Sequence, residues 1–178
     1  SCWEWDVDPH MTSHIDTKEP LPKELFDKML AAKNYQSGLQ MLRQVEFSLA
    51  DMHLHYDYDP DGQKTAQNVL DEIRRKYAVV IPPAFNRFLQ SFSHIFAGGY
   101  AAGYYSYKWA EVLSADVYSA FEESLADGND LVSPAMGARL LEEILSVGGS
   151  RPAIESFTAF RGRQPTIDAL LRHNGLAA

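Results

Sequence analysis

Helical spacing of apolar residues is the feature that most constrains the fold of this chain. Along most of the 178 residues, apolar side chains recur three and four positions apart, the period of a helix that packs on one side. Prolines and glycines separate the periodic segments. Helices are predicted over residues 20–34, 35–56, 65–77, 85–89, 104–123, 133–148, 150–160 and 165–174. The predicted fold class is therefore all-α, with short connections.

The pattern also predicts which faces of these helices are buried. The helix over 35–56 has a wide apolar face, and Asp51 is predicted to point away from it. The helix over 104–123 is predicted to be the longest and most buried, with Tyr105 and Trp109 in its core stripe. Ser133 is predicted to cap the following helix after a turn over residues 127–130.

Composition limits the partners of the chain. Hydrophobic residues make up 46% of the sequence, which is typical of a globular domain with one sizeable core. A formal net charge of -8 argues against nucleic acid as a partner, because phosphate binding needs a basic face. The single cysteine, Cys2, excludes an internal disulfide and fits a reducing compartment. No apolar run approaches the length of a membrane span. We therefore expect a cytoplasmic protein that binds neither nucleic acid nor membrane.

The histidines and acidic residues do not form a recognisable metal site. His53 and His55 lie two residues apart and would face different sides of a helix. His10 and His14 fall in the least regular part of the chain, where a solvated loop is the simpler interpretation. The acidic tract over residues 57–62 lacks the spacing of a calcium loop. No metal ligands are predicted in this chain.

The least ordinary segment covers residues 92–109 and reads FSHIFAGGYAAGYYSYKW. It contains His94, Gly98, Gly99, Tyr100, Gly103, Tyr104 and Tyr107. Glycines at this density break a helix and let the backbone pass close to another group. The three tyrosines, at positions i, i+4 and i+7, would place several hydroxyls on one side of the chain, which suits a site that grips a peptide backbone. The alternative is an aromatic helix start buried in a core.

These residues resemble the substrate-binding loop of the thimet oligopeptidase family of zinc metallopeptidases. The resemblance rests on His94, on AGGY over 97–100, on YYSY over 104–107 and on Trp109, and it is closest to the oligopeptidase A branch. It continues through FRGR over 160–163 and covers nearly the whole chain. It implies the C-terminal helical part of a larger, mostly helical zincin-type peptidase that hydrolyses short peptides.

The resemblance also implies roles for individual residues. Tyr107 and Tyr100, with His94, would donate hydrogen bonds to the oxyanion of the tetrahedral intermediate. A phenol with its ordinary pKa of about 10 stays protonated at pH 7 and can act as such a donor. The substrate-binding residues that the resemblance implies are Tyr104, Gly98 and Gly99. The two glycines would let the loop close over the substrate.

One departure from the family pattern is large. The family binds zinc through a His-Glu-x-x-His helix, and none of the six histidines in this sequence stands in that pattern. We therefore expect the zinc of the full-length parent to be held upstream, and this chain alone to bind no zinc and cleave nothing. Its expected partners are short peptides and the missing N-terminal portion, with self-association through an exposed apolar surface as a further expectation.

Three alternatives stay open at this level. The chain could be a helical interaction module that kept the fold without the chemistry. The parent could also be a dipeptidyl carboxypeptidase of the same family. Arg161 and Arg163 could bind the carboxylate of a peptide or form structural ion pairs, and the sequence does not separate these two roles.

Overall fold

The computed structural model describes residues 3–126, 128 and 130–177, and all regular structure in these residues is helical, with no strand. The predicted all-α fold class is confirmed. Cα packing divides the chain into two compact units, Ser1–Ser37 and Gly38–Ala178. None of the described helices is both long and apolar enough to cross a membrane. Cys2 and two positions of the predicted turn over 127–130, Asp127 and Asn129, lie outside the described residues.

The first unit contains two helices, α1 (Asp8–Met11) and α2 (Lys23–Ala32). Phe26 of α2 is fully buried and packs edge-on against Trp5, with ring centroids 5.2 Å apart. The predicted start at position 20 is wrong, since α2 begins at Lys23 and both prolines precede it. Leu25 and Met29, which share the apolar stripe of α2, remain exposed.

The second unit contains the remaining helices of the described chain. They are α3 (Ser37–Tyr56), α4 (Ala66–Tyr77), α5 (Phe88–Ser91), α6 (Ser93–Phe96), α7 (Ser106–Ala126), α8 (Pro134–Leu140), α9 (Ala153–Arg161) and α10 (Asp168–His173). A π-helical turn, Leu141–Leu145, continues α8. The Ser133 side chain accepts a hydrogen bond from the N–H of Met136, so the predicted cap of α8 is confirmed. Thr65 and Asn68 form a capping box at the start of α4.

α3 carries two hydrophobic clusters. In one, Phe47 of α3 packs with Phe92, Ile95 and Tyr104. In the other, Ala50 of α3 packs with three residues of α4 and α5, namely Leu70, Ile73 and Leu89. A buried ion pair between Glu46 and Arg74, 2.8 Å long, also joins α3 to α4. The helix that is predicted to have a wide apolar face therefore forms the support on which residues 92–104 rest.

α7 is the longest described helix, with 21 residues, as predicted, but the predicted core positions of Tyr105 and Trp109 are wrong. Tyr105, just before the helix, is 50% exposed and Trp109 is 46% exposed. The buried side of the helix carries Val112, Ala115, Asp116, Ser119 and Ala120. The small residues admit neighbouring helices closely, and Asp116 must face the arginines that neutralise it. Pairing and close approach, rather than side-chain size, therefore decide which face is buried.

Two other predicted boundaries differ from the structure. Phe85 precedes α5 and is 80% exposed, although it is predicted within a short helix. The last helix begins at Asp168 and not at position 165. The N–H of Thr166 donates to Oδ2 of Asp116, 2.9 Å away, and this bond ties the preceding residues to α7.

Candidate functional site

The candidate site begins where α6 ends. The carbonyl of Ser93 accepts hydrogen bonds from the N–H groups of Ala97 (2.8 Å) and Gly98 (2.7 Å), and the carbonyl of His94 accepts from the N–H of Tyr100 (3.0 Å). These bonds satisfy the last carbonyls of the short helix and turn the chain sharply. We call residues 97–105 the tyrosine loop. It leads directly into α7, which carries Tyr107 on its first turn.

The structure brings four of the predicted site residues together, and we call this group the tyrosine cluster: His94, Tyr100, Tyr104 and Tyr107. The ring centroids of Tyr100 and Tyr107 lie 5.0 Å apart, and those of Tyr104 and Tyr107 lie 5.2 Å apart. The ring of His94 lies 6.3 Å from Tyr100, 5.9 Å from Tyr104 and 6.4 Å from Tyr107. His94 is exposed, and Tyr100 and Tyr107 are 38% and 39% exposed. Three of the four side chains can therefore meet a ligand from solvent.

Tyr104 differs from the other members of the cluster because it is buried. Its ring contacts Phe47 and Phe92 in the core of the α3 cluster, and its hydroxyl donates to Oε1 of Gln44, 2.9 Å away. Burial raises the pKa of the Tyr104 hydroxyl above its ordinary value, although the charge of Arg43 opposes the shift. The structure thus gives Tyr104 a packing role, while its predicted contact with substrate stays a prediction.

Tyr107 is a phenol that keeps its proton. Its hydrogen bond with the side chain of Tyr100 raises the pKa of the Tyr107 hydroxyl, and desolvation and the neighbouring phenols act in the same direction. A pKa above the ordinary value of about 10 leaves the group protonated throughout the neutral range. Tyr107 can therefore act as a neutral hydrogen-bond donor.

Gly98 and Gly99, the two predicted site glycines, are needed for different structural reasons. A Cβ added at Gly98 would lie 2.9 Å from Cα of His94 and 3.0 Å from its carbonyl oxygen, so only glycine fits against α6 at this position. Gly99 has φ = +81°, a conformation that favours glycine. Both glycines shape the turn that carries Tyr100. Their predicted use in closing the loop over substrate stays a prediction.

Asp51 is the site residue that sequence reasoning missed, and its predicted exposure is wrong. Its side chain is 0% exposed. Oδ1 accepts the N–H of Ala102 and Oδ2 accepts the N–H of Tyr104, each at 2.9 Å. The sequence did contain a signal, since Asp51 lies four residues after Phe47 and three before Leu54, on the face that the apolar residues define. An aspartate at a core position of a helix needs buried donors.

Metal ligands are not grouped in this part of the chain. Among the described residues, no set of three histidine, cysteine, aspartate or glutamate side chains could hold a metal ion. The residues present therefore do not fit the zinc that the family resemblance implies. What the cluster offers is hydrogen-bond donors.

Arg161 and Arg163 form structural ion pairs. Arg161 lies 3.0 Å from Asp116 and 2.7 Å from Glu123, and Arg163 lies 2.6 Å from Asp116. These partners occupy both guanidinium groups, that of Arg161 in a buried position and that of Arg163 at the surface. Of the two roles left open by the sequence, the structure supports the structural one.

A cavity of about 480 Å³ lies between α3, α4 and the loop that joins them. An ion pair between Lys64 and Glu72 (2.8 Å) and a hydrogen bond between His53 and Asp57 (3.0 Å) contribute to its wall. No member of the tyrosine cluster lines it. The donors of the cluster lie instead on an open surface.

Comparisons with known proteins all point to one family. The sequence profile of peptidase family M3 matches residues 1–176. Oligopeptidase A of Salmonella typhimurium is 50% identical over 175 residues, which cover 98% of this chain and 25% of the relative. Organellar oligopeptidase A of Arabidopsis thaliana is 46% identical over 177 residues, 99% of this chain and 22% of the relative. Dipeptidyl carboxypeptidase of Salmonella typhimurium is 30% identical over 164 residues, 92% of this chain and 23% of the relative. The chain spans about a quarter of the length of these relatives.

Proposed function

The chain belongs to peptidase family M3, and we propose that it forms the C-terminal, substrate-binding part of a zinc-dependent oligopeptidase that hydrolyses short peptides. The observation that carries the proposal is the tyrosine cluster, in which exposed His94, Tyr100 and Tyr107 stand within 6.4 Å of one another by ring centroid. The identity of 50% to an oligopeptidase A, against 30% to a dipeptidyl carboxypeptidase, favours the oligopeptidase activity.

The proposed mechanism uses the cluster as a preorganised set of donors. When a nucleophile adds to the scissile carbonyl, the carbon becomes tetrahedral and its oxygen takes up negative charge. The Tyr107 hydroxyl donates to that oxygen, while packing of its ring against those of Tyr100 and Tyr104 orients it before the charge develops. His94, beside both phenols, donates its ring N–H to the same oxygen or to the peptide backbone.

The proposal assigns the zinc to the part of the peptidase outside this chain. The sequence has no His-Glu-x-x-His pattern, and the described residues contain no three-ligand set. The chain alone is therefore expected to bind no zinc tightly and to cleave no peptide. Metal analysis and a peptidase assay on the isolated chain test this, and one equivalent of tightly bound zinc together with peptide cleavage would contradict it.

The proposal also includes a partner surface and a cytoplasmic location. Val80, Ile81 and Phe85 form an apolar segment whose side chains are mostly exposed. An exposed apolar segment of this kind favours contact with another protein surface, which we assign to the N-terminal portion of the peptidase. Sedimentation of the isolated chain should show self-association that declines when this portion is added. A monomer that does not respond to the N-terminal portion would contradict the assignment.

The experiment that tests the proposed function is Tyr107→Phe in the complete peptidase, meaning this chain joined to its zinc-binding part. Loss of one oxyanion donor lowers kcat by roughly a hundredfold to a thousandfold. KM should change little, because the bond strengthens only as charge develops. Product analysis on a six-residue peptide would separate internal cleavage from release of C-terminal dipeptides.

Tyr105→Phe is the matched control. It is the same chemical change two residues away, at a side chain that is half exposed. Among the described residues, Tyr105 makes no ring contact with the tyrosine cluster. Its substitution should leave kcat nearly unchanged. Wild-type kcat in Tyr107→Phe, or a larger loss in Tyr105→Phe, would contradict the proposed function.

A further inference from the structure

We propose that Asp51 is a positioning residue that holds the tyrosine loop in the shape that presents Tyr100 and Tyr107, an inference that rests on the proposed function. Asp51 is 51 residues away from Ala102 along the chain, yet its carboxylate binds the loop backbone from within the core. It touches no exposed surface, since its side chain is 0% exposed. Any effect on the reaction must therefore pass through the loop.

The hydrogen bonds of Asp51 require a carboxylate. Nδ1 of His55 lies 2.9 Å from the Asp51 carbonyl oxygen and 2.9 Å from Oδ1. Both of those atoms are acceptors, so Nδ1 carries the proton and donates. Because Nδ1 bonds the Asp51 carbonyl, the donors to the carboxylate itself are the N–H of Ala102, to Oδ1, and the N–H of Tyr104, to Oδ2. An asparagine in either orientation would turn an NH₂ group toward at least one of these donors.

The loop conformation that Asp51 holds is strained. Ala102 has φ = +55°, which a residue with a Cβ seldom adopts. Such a conformation persists only where the surrounding structure determines it. The bond from the Ala102 N–H to Asp51 is a contact of this kind. A second one, from the N–H of Gly103 to the carbonyl of Tyr100 at 2.8 Å, fixes the adjacent turn.

The hydrogen bonds from Asp51 to the loop backbone constrain both proposed donors, Tyr100 and Tyr107. Toward Tyr100, it fixes Ala102, whose neighbour Gly103 bonds the Tyr100 carbonyl. Toward Tyr107, it fixes the N–H of Tyr104, and the carbonyl of Tyr104 accepts the N–H of Tyr107 at 3.3 Å on the first turn of α7. One side chain thus sets the relative position of two phenols that come from different sides of the loop.

The first test is Asp51→Asn in the complete peptidase, with Asp116→Asn as the matched control. Both changes replace a carboxylate that is 0% exposed, and both remove a bond to a backbone N–H. A misplacement of about 1 Å in a catalytic group can cost roughly a hundredfold, so Asp51→Asn should lower kcat by about that factor with little change in KM. Asp116→Asn should lower the unfolding midpoint and leave kcat of the folded enzyme near wild type.

A double-mutant cycle with Tyr107→Phe separates positioning from general damage. If Asp51 acts through the Tyr107 hydroxyl, its substitution costs much less in the Tyr107→Phe background than in wild type. Full additivity of the two losses, or wild-type kcat in a folded Asp51→Asn enzyme, would overturn the inference while leaving the proposed function intact. Wild-type kcat in Tyr107→Phe alone would instead overturn the proposed function.

Amide hydrogen exchange keeps the inference testable if Asp51→Asn does not fold. In the wild-type peptidase without substrate, the N–H groups of Ala102 and Tyr104 should be protected in spite of their place in a surface loop. A non-cleavable peptide should add little to this protection, because the loop is already positioned. Unprotected exchange in the free enzyme, followed by strong protection when the peptide binds, would overturn the inference.

Discussion

Asp51 and Asp116 are two fully buried carboxylates whose burial is compensated by different partners. Each accepts a backbone N–H from a distant loop, Asp51 from Tyr104 and Asp116 from Thr166. Asp116 is neutralised by Arg161 and Arg163. No lysine or arginine of the described residues pairs with Asp51, whose partners are backbone amides and His55.

The difference shows how a buried charge can serve stability in one region and geometry in another. The Asp116 region joins α7 to the end of α9 mainly through side-chain charges, which tolerate small movements, and to the segment before α10 through one backbone N–H. The Asp51 region fixes backbone atoms, so that movement of the carboxylate moves the loop. We therefore expect perturbations near Asp116 to change unfolding, and perturbations near Asp51 to change the tyrosine cluster.

The largest expected effect on stability comes from Asp116→Ala. It removes one of the two carboxylates that pair with buried Arg161, which keeps Glu123, and it frees the exposed Arg163. Breaking a buried pair on one side costs about 3–5 kcal/mol, and the remaining Glu123 pair and the exposure of Arg163 favour the lower end. Urea unfolding of the peptidase measures this cost. A loss of unfolding free energy below about 1 kcal/mol would show that Asp116 does not have the structural role assigned to it.

A pH titration sharpens the same contrast. Burial alone would raise the pKa of Asp116, but hydrogen bonds from Arg163 and Thr166 and the charges of both arginines hold that pKa below its ordinary value. A lowered folded pKa contributes stability above the unfolded value of about 3.9, and this contribution is lost as pH falls through the folded pKa. The urea midpoints of wild type and Asp116→Asn should therefore converge below about pH 4. A constant gap between them down to pH 2 would contradict this account.

Gly98→Ala tests whether the tyrosine loop is closely packed against α6. The added methyl would meet His94 backbone atoms at 2.9 and 3.0 Å, which cannot move without shifting the helix. Overpacking of this kind costs about 1–3 kcal/mol, and the shift of His94 should also lower kcat. Gly137→Ala in α8 is the control, since nothing lies within 4 Å of its added Cβ. Equal stability and equal kcat in the two variants would show that the loop is not closely packed against α6.

The smallest expected effect comes from Ala102→Gly. Glycine adopts φ = +55° without the strain that alanine bears there. Removing this strain should raise stability by about 0.5–1 kcal/mol, net of the greater freedom of glycine in the unfolded chain. Thermal unfolding of the two proteins measures the difference. Destabilisation by Ala102→Gly would mean that the Asp51 contact does not by itself keep residue 102 in its strained conformation.

The helices could be predicted from the sequence because they depend on local spacing, and the members of the tyrosine cluster could be named because they match the family motif. Apolar periodicity gives α3 and α4 nearly to their ends, and the positions of Tyr100 and Tyr107 follow from the motif. The buried face of α7 could not be predicted in this way, because it is the face on which Asp116 pairs with arginines 45 and 47 residues later in the chain. Asp51 was missed for the same reason, since its donors lie more than 50 residues away.

Local composition thus predicts which side chains lie near one another along the chain, whereas long-range pairing decides which of them are buried. Tyr104 illustrates the limit. Its sequence environment matches that of Tyr100 and Tyr107, but its hydroxyl meets Gln44 in the core. Of three phenols at equivalent spacing, the fold leaves two for a ligand.

The most direct test of the central claim compares catalysis with the binding of a tetrahedral analogue. Inhibition constants for a phosphinic peptide and values of KM/kcat would be measured for the complete wild-type peptidase, Tyr107→Phe, Tyr100→Phe and Tyr105→Phe. If the cluster stabilises the oxyanion, logarithms of the two quantities rise together with a slope near 1, and Tyr105→Phe falls beside wild type. Inhibition constants that stay constant while KM/kcat rises would contradict the claim, because the lost hydroxyls would then not contact the tetrahedral centre.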